Sequence, residues 1–273
     1  MKLTLFGSSI QHSLSPKIYE EFARQFQIDL CYTKTVVTCS QDLKIALDTF
    51  RDSGGVGANI TSPLKQEAYM LCDSVSQHAL DIKAINVLVW KDHWYGTNTD
   101  GAGFIADLSR LKIDLKDLNI LILGAGGAVR ALLPLLLTKQ PQNIFIANRT
   151  YTNILAFASD LTKVTPLALH ALVKMDLKFD LIINAIPNFP ENTFEALSKF
   201  IPKSCVYDLS YKENHPTPFL QWAAHLGAYL CADGIGMLVE QAALSFNEWF
   251  GVMPPITVKL ELMKKYSFKK NQL

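Results

Sequence analysis

The sequence lacks several features that mark particular classes of protein. The net charge of its 273 residues is only +1 at pH 7, and 19% of the residues are charged. This balance gives no electrostatic basis for nucleic-acid binding. Apolar runs are too short for a transmembrane helix, because the best candidate is interrupted by Pro134. We therefore expect a protein that binds neither nucleic acid nor membrane.

Clustered cysteines and histidines are also lacking. The five cysteines are odd in number and form no Cys-x-x-Cys pair, and the six histidines show no metal-ligand spacing. No secretory signal follows Met1 and Lys2. We expect reduced thiols, no bound metal and a cytoplasmic location.

A glycine turn between an apolar strand and an apolar helix is the most informative segment that is present. The turn begins after residue 123 and reads Gly124-Ala-Gly-Gly-Ala128. Such a turn brings backbone N–H groups and the positive end of a helix to a phosphate. Val129 replaces the third glycine of the dinucleotide fingerprint, so the glycines alone could also serve a simple strand-to-helix turn.

The next predicted strand, over residues 143–147, ends in polar side chains. They are Asn148, Arg149 and Thr150. NAD sites usually carry an acid in this neighbourhood to hold the ribose 2′-hydroxyl. A guanidinium suits a 2′-phosphate instead, so we predict NADP as the cofactor.

Strand and helix patterns alternate along the chain, which is typical of the α/β class. Strands are predicted over residues 2–6, 32–37, 57–60, 86–90 and 94–96, and later over 143–147, 180–183, 205–208 and 228–230. Helices are predicted over residues 41–50, 101–111 and 236–249, and from two Ser-Pro pairs, with Ser15 as the N-cap of the first. The 118 residues before the glycine unit are enough for a separate domain.

Polar clusters occur where these predicted elements meet. The hydroxyls of Ser13 and Ser15 could both donate hydrogen bonds to one carboxylate, although one serine there would ordinarily be a helix cap. Lys65 lies in a first helical turn, where the helix dipole disfavours a cation. Asp100 directly precedes a helix and could be an N-cap, but its loop holds more polar groups than a cap needs.

These clusters and the glycine turn together resemble the shikimate dehydrogenase family over essentially the whole chain. The matching segments are Ser13-Leu-Ser-Pro16, Gly57-Ala-Asn-Ile-Thr61 with Lys65, Ala84-Ile-Asn86, Asn98-Thr-Asp-Gly101, Gly124-Ala-Gly-Gly-Ala128 with Arg130, Asn148-Arg-Thr150, and Ala232-Asp-Gly-Ile-Gly-Met237 with Gln241. They follow the order and spacing of the family. Departures include Ile186 for a threonine and Asn153 for a second basic residue.

The resemblance implies two α/β domains. Residues 1–100 and 237–273 would form a discontinuous substrate-binding domain, and residues 101–236 a Rossmann-like NADP-binding domain with a parallel sheet. The implied reaction is the reversible, NADP-dependent reduction of 3-dehydroshikimate to shikimate in aromatic amino-acid (chorismate) biosynthesis. The protein would be a monomer or a homodimer.

The resemblance also implies residue roles. Lys65 and Asp100 would be the catalytic acid–base pair. The implied substrate ligands are Ser13, Ser15, Asn59, Thr61, Lys65, Asn86, Asp100, Tyr211 and Gln241. The implied cofactor ligands are Gly124, Ala125, Gly126, Gly127, Ala128, Asn148, Arg149, Thr150, Ile186, Gly234 and Met237.

Three alternatives remain at this point. A quinate/shikimate dehydrogenase with relaxed cofactor use would be expected to carry an acid in place of Arg149. A non-catalytic NADP(H)- or shikimate-binding regulator would keep the glycine turn without the Lys65 and Asp100 pair. A lysine-dependent folate dehydrogenase would give no reason for the paired serines or Gln241.

Overall fold

The computed structural model describes residues 1–158, 161–187, 189 and 194–268, and the chain divides into two compact units. The first unit holds Met1–Gly103 and Leu238–Leu262. The second unit holds Phe104–Met237 and the chain from Met263 onward. This division differs from the predicted boundaries by up to three residues near positions 100 and 237, and it assigns the residues after 262 to the second unit. The functional assignment of the two domains stays a prediction.

Strands and helices alternate in both units. The strands are β1 (Lys2–Gly7), β2 (Cys31–Val36), β3 (Gly55–Ile60), β4 (Ser74–Val75), β5 (Val87–Trp90), β6 (Trp94–Thr97), β7 (Asn119–Leu123), β8 (Asn143–Asn148), β9 (Val164–Ala168), β10 (Leu181–Asn184), β11 (Cys205–Asp208) and β12 (Leu230–Ala232). The α-helices are α1 (Ser15–Gln25), α2 (Ser40–Asp52), α3 (Lys65–Met70), α4 (Gln77–Ile82), α5 (Asp100–Arg110), α6 (Gly127–Thr138), α7 (Thr152–Ala158), α8 (Phe194–Leu197), α9 (Pro218–His225), α10 (Ile235–Phe250) and α11 (Ile256–Tyr266).

The first unit is built on a mixed six-stranded sheet in the order β2-β1-β3-β5-β6-β4. β1 pairs in parallel with β2 and β3, whereas β5 pairs antiparallel with β3 and β6. The predicted pairing of the strands near residues 86–90 and 94–96 is therefore confirmed. Apolar side chains on one side of this sheet pack against α2 and α3 around Phe6, Leu43 and Leu88.

The second unit is built on an all-parallel sheet in the order β9-β8-β7-β10-β11-β12. This is the doubly wound dinucleotide-binding order, with its switch point between β7 and β10. Ile120 and Ile122 of β7 lie in one apolar core, and Leu121 and Leu123 lie in the other. Both faces of the sheet are therefore covered, as a parallel sheet requires. The predicted fold class is confirmed.

Helix α1 begins at Ser15-Pro16, as predicted, but its predicted N-cap and the predicted start of α3 are wrong. Leu14, not Ser15, is the N-cap residue of α1, because the Ser13 hydroxyl already accepts the backbone N–H of Ser15 at 3.2 Å. α3 begins at Lys65 rather than at the Ser-Pro pair. A turn precedes it, closed by a 3.0 Å hydrogen bond from the Leu64 N–H to the Thr61 carbonyl.

The strand predicted over residues 228–230 is shifted, since β12 covers Leu230–Ala232. Among the residues placed by the structure, no helix is both long and apolar enough to cross a lipid bilayer.

Candidate active site

Lys65 and Asp100 form an ion pair in the first unit. Each is the first residue of a helix, α3 and α5 respectively, and Lys65 Nζ lies 2.5 Å from Asp100 Oδ2. The side chain of Lys65 is 21% exposed and that of Asp100 is 9% exposed. The ammonium is therefore held against the protein, and the carboxylate offsets the unfavourable dipole of α3.

Asp100 is not a helix cap. Its Oδ1 accepts from Asn86 Nδ2 at 2.9 Å, and its Oδ2 accepts from Lys65. The side chain that serves the start of α5 is that of Asn98, whose Oδ1 accepts the Asp100 N–H at 3.0 Å. Both carboxylate oxygens of Asp100 are thus committed to site residues.

Asn86 lies at the centre of the polar network around this pair. Its Nδ2 is within 3.2 Å of Thr99 Oγ1, Asp100 Oδ1 and Gln241 Oε1. Its Oδ1 accepts the Thr99 N–H at 2.8 Å. Asn86 and Gln241 are 3% and 8% exposed. The network brings Gln241, from α10, to residues that lie far from it in sequence.

Asn59, at the end of β3, extends the network on the other side of Asn86. Its Nδ2 donates to the Asn86 carbonyl at 3.1 Å, and its Oδ1 accepts from the Tyr32 hydroxyl at 2.7 Å. Burial raises the pKa of Tyr32 well above its usual value, so this phenol stays protonated and acts as a donor. The amide of Asn59 is therefore fixed in one orientation.

Ser13 and Ser15 complete the network. Ser13 Oγ donates to Ser15 Oγ at 3.1 Å, and the Ser15 side chain makes a hydrogen-bond contact with Tyr32. Hydrogen bonds therefore run continuously from the two serines through Tyr32, Asn59, Asn86 and Asp100 to Lys65.

Thr61 and Tyr211 are the two remaining implied substrate ligands. Thr61 contributes backbone hydrogen bonds, and its methyl group fills the space beside Gly7, where an added Cβ would lie 2.3 Å from it. Tyr211 belongs to the second unit, three residues beyond the end of β11, and is half-buried.

Sequence reasoning missed Ser245 and Tyr32, and it noted Thr99 only as part of the polar loop before α5. Thr99 Oγ1 lies 3.1 Å from Ser245 Oγ, and the Ser245 hydroxyl donates to the Gln241 carbonyl at 2.9 Å. The spacing of Ser245, one helical turn after Gln241, was an available signal. Tyr32 lies within β2, a largely exposed strand, and its sequence offered no such signal.

The glycine turn of the second unit has the geometry of an anion site. Gly124 adopts a φ of +107°, which favours glycine. Gly126 precedes α6 as its N-cap, and Gly127 is the first helical residue. A Cβ at Gly126 or Gly127 would meet no atom of the described residues within 4 Å. The start of α6 therefore has room beside its two glycines, as binding of a phosphate requires.

Ala125 and Ala128 flank these glycines, the first buried and the second half-buried. Val129, at the position of the missing third glycine, is fully buried in the core. The valine side chain therefore fills the space in which a third glycine would let the helix approach the strand closely.

The end of β10 lies beside this turn, because Leu123 and Asn184 are paired residues of β7 and β10. Asn184 Oδ1 accepts the Ile186 N–H at 3.0 Å, and Nδ2 donates to Asp208 Oδ1 at 2.9 Å. A Cβ at Gly124 would lie 3.1 Å from Ile186 Cγ1. Ile186 is thus held at the glycine turn.

The polar end of β8 carries the residues expected to select the cofactor. Asn148 Nδ2 donates to the Thr150 carbonyl at 2.9 Å, which closes a tight turn. Arg149, between them, is exposed. The Arg149 side chain is therefore accessible to an anion that binds at the end of β8.

The start of α10 brings Gly234 and Met237 into the second unit. A Cβ at Gly234 would lie 2.2 Å from the Leu209 carbonyl oxygen, so this position requires glycine. Asp233 Oδ1 accepts the Ile235 N–H at 3.1 Å. Burial raises the pKa of Asp233 to about 7, with Asp107 and Asp208 adding to the effect.

The doubly wound sheet with its glycine turn, and the lysine–aspartate pair, are the parts of an α/β dehydrogenase. Three family profiles match the chain: the shikimate dehydrogenase substrate binding domain over residues 5–88, shikimate / quinate 5-dehydrogenase over residues 107–193, and the shikimate 5′-dehydrogenase C-terminal domain over residues 234–264.

Curated relatives agree with these profiles. The chain is 39% identical to the shikimate dehydrogenase (NADP(+)) of Alcanivorax borkumensis, over 92% of this chain and 91% of that one. It is 40% identical to the protein of the same name from Methylococcus capsulatus, over 96% of each chain. The chain belongs to the shikimate dehydrogenase family, as its sequence motifs predicted.

Solved structures have the same architecture. The shikimate dehydrogenase of Aquifex aeolicus matches with a TM-score of 0.83 at 29% identity, covering 97% of each chain. The Thermus thermophilus enzyme, in complex with NADP(H) and shikimate, matches with a TM-score of 0.81 at 28% identity, covering 97% of this chain and 98% of that one.

Proposed function

We propose that this chain catalyses the reversible, NADP-dependent reduction of 3-dehydroshikimate to shikimate, a step of aromatic amino-acid (chorismate) biosynthesis. The observation that carries the proposal is the Lys65–Asp100 ion pair, held by Asn86 within a network of uncharged hydrogen-bonding groups. The names of the curated relatives support the same reaction.

The second unit offers the groups that NADP needs. The open N-terminus of α6 suits the pyrophosphate, and its first turn carries no acidic residue. Arg149 suits the 2′-phosphate, with Asn148 and Thr150 shaping its turn. Ile186, Gly234 and Met237 would contact the rest of the cofactor. When bound, the nicotinamide supplies or accepts the hydride.

The first unit offers the groups that a hydroxylated carboxylic acid needs. Ser13 and Ser15 would bind the carboxylate of the substrate through their neighbouring hydroxyls. Asn59, Thr61, Asn86, Asp100 and Gln241 would bind its hydroxyl groups, and Tyr211 would contribute near the carboxylate. Since hydrogen bonds already fix the amides of Asn59 and Asn86, the orientation of these side chains toward a substrate is preorganised.

Lys65 would move the proton of the reaction. In the direction of reduction, negative charge develops on the carbonyl oxygen, and the Lys65 ammonium donates a proton to it. In the reverse direction, neutral Lys65 accepts the proton of the hydroxyl group. Asp100 holds the lysine through Oδ2, while Asn86 holds Asp100 through Oδ1. Asp100 thereby orients the lysine in both directions.

A quinate/shikimate dehydrogenase with relaxed cofactor use is the second candidate, because one matching profile is described as shikimate / quinate 5-dehydrogenase. Arg149 favours NADP over NAD. The pair of Lys65 and Asp100 favours an enzyme over a binding regulator. The cytoplasmic location and the monomeric or dimeric state predicted from the sequence stay predictions.

An assay of reduced nicotinamide at about 340 nm tests the proposal, with shikimate and quinate each combined with NADP and NAD. We expect the highest kcat/KM for shikimate with NADP. A higher value for quinate, or for NAD, would support the second candidate. Absence of turnover with all four combinations would contradict an enzymatic role.

A further inference from the structure

A buried polar cluster lies under the start of α10, apart from the proton-moving groups. Asp107 of α5 is fully buried. Its Oδ2 accepts from the Tyr207 hydroxyl of β11 at 2.7 Å, and its Oδ1 accepts from Arg110 Nε at 2.7 Å. A carboxylate buried to this extent is costly unless it is paired. The proposed mechanism gives the cluster no role.

The Asp107 carboxylate packs directly against Gly236, the second residue of α10. A Cβ at Gly236 would lie 2.0 Å from Asp107 Oδ1 and 2.2 Å from Oδ2. The carboxylate thus occupies the place of a side chain at position 236. It also lies at the N-terminus of a helix, where a negative charge is favourable.

Tyr207 reaches the same helical turn. Its hydroxyl donates to Asp107 and makes a hydrogen bond with the backbone of Met237. Burial, together with Asp107, raises the pKa of Tyr207 well above its usual value, so the hydroxyl keeps its proton. Tyr207 therefore joins Asp107 to the residue expected to contact the cofactor.

The turn before Met237 is also fixed from its other end. The Gly234 N–H donates to the Ser210 carbonyl at 3.2 Å, and Gly234 packs on the Leu209 carbonyl. The path of residues 234–237 is therefore set at one end by Leu209 and Ser210, in the loop after β11, and at the other end by Asp107 with Tyr207.

We propose that Asp107 and Tyr207 are positioning residues that hold the turn over residues 234–237 against the nicotinamide half of NADP. The inference rests on the proposed function, in which Gly234 and Met237 contact the cofactor. Backbone that approaches a flat ring must be placed accurately, and small displacements weaken such contacts. The adenosine half would be bound elsewhere in the unit, at the ends of β7 and β8.

The test compares NADP+ with 2′,5′-ADP, which carries the 2′-phosphate but no nicotinamide. Tyr207→Phe removes a single oxygen atom, and Asp107→Asn removes the charge. Tyr229→Phe, at a tyrosine that is 80% exposed, is the matched control. Binding of both ligands is measured by calorimetry for wild type and variants, with thermal unfolding as the check of folding.

We expect both variants to weaken NADP+ binding by about three- to tenfold, the loss typical of one hydrogen bond. Their affinity for 2′,5′-ADP should stay within about twofold of wild type, as should both affinities of Tyr229→Phe. An equal loss for both ligands in Tyr207→Phe would overturn the inference, because it would indicate general disruption of the unit. Unchanged NADP+ binding in Tyr207→Phe would also overturn it. A wild-type protein that binds neither ligand would instead contradict the proposed function.

Discussion

The side-chain amide of Asn86 donates to Asp100 Oδ1 at 2.9 Å, and this leaves Oδ2 for Lys65. The two oxygens of the carboxylate thus have different partners, one neutral and one cationic. The neutral donor sets the plane of the carboxylate, and the carboxylate in turn sets the position of the ammonium.

Lys65→Ala should lower turnover by about two to four orders of magnitude, because the proposed general acid–base group is lost. Binding of shikimate should change much less, since Asn59, Asn86 and the serines remain. Stopped-flow and steady-state rates measure the first effect, and equilibrium titration measures the second. Lys44→Ala, at a lysine that is 69% exposed, is the control. An unaltered rate in Lys65→Ala would end the proposed role of Lys65.

Arg149→Ala should raise KM for NADP far more than KM for NAD, because only NADP carries the 2′-phosphate that a guanidinium would bind. Parallel initial-rate series with the two cofactors measure the ratio. Lys139→Ala, at another exposed cation of the second unit, should leave the ratio unchanged. Equal effects of Arg149→Ala on both cofactors would mean that the guanidinium does not meet the phosphate.

Tyr32→Phe should raise KM for shikimate by about three- to tenfold with little change in KM for NADPH. The phenol donates to Asn59 Oδ1 at 2.7 Å and contacts Ser15, so its loss frees two side chains that we propose bind the substrate. Initial rates over a matrix of both substrates separate the two constants. A rise confined to NADPH would contradict this assignment.

Asp233→Asn should change how stability depends on pH. The raised pKa of about 7 means that the native carboxyl stays protonated while the unfolded one ionises near its ordinary value of 3.8. The native state then binds more protons between about pH 4 and 7, so the free energy of unfolding falls as pH rises through this window.

The amide cannot ionise, and its Oδ1 can still accept the Ile235 N–H. We therefore expect Asp233→Asn to match wild type near pH 4 and to be more stable at pH 8. Urea unfolding at several pH values measures the difference, with exposed Asp176→Asn as the control. Parallel pH profiles for wild type and Asp233→Asn would refute the prediction.

The sequence identified those parts of the fold whose signals are local. The glycine turn after β7 and the polar end of β8 follow from short runs of residues and were placed correctly. β9 was missed because Pro166 interrupts its pattern, and proline is tolerated there since β9 is the edge strand of its sheet.

Local patterns predicted the site where its residues stand at the ends of elements, whereas Gln241, inside α10, was implied by the family resemblance. Asn59, Lys65 and Asp100 could be found from these local patterns. Tyr32 could not, because it reaches Asn59 from a neighbouring part of the sheet and its own strand is mostly exposed. Asp107 and Tyr207 are 100 residues apart, and only the folded chain shows that they are partners.

The contact between Asp107 and Gly236 limits the order in which these two positions can change. If a side chain were first added at position 236, it would collide with the Asp107 carboxylate. If residue 107 were first replaced by a smaller residue, the space needed by a side chain at position 236 would become available. Directed evolution of this region should therefore recover larger residues at 236 only in backgrounds where 107 has already become smaller.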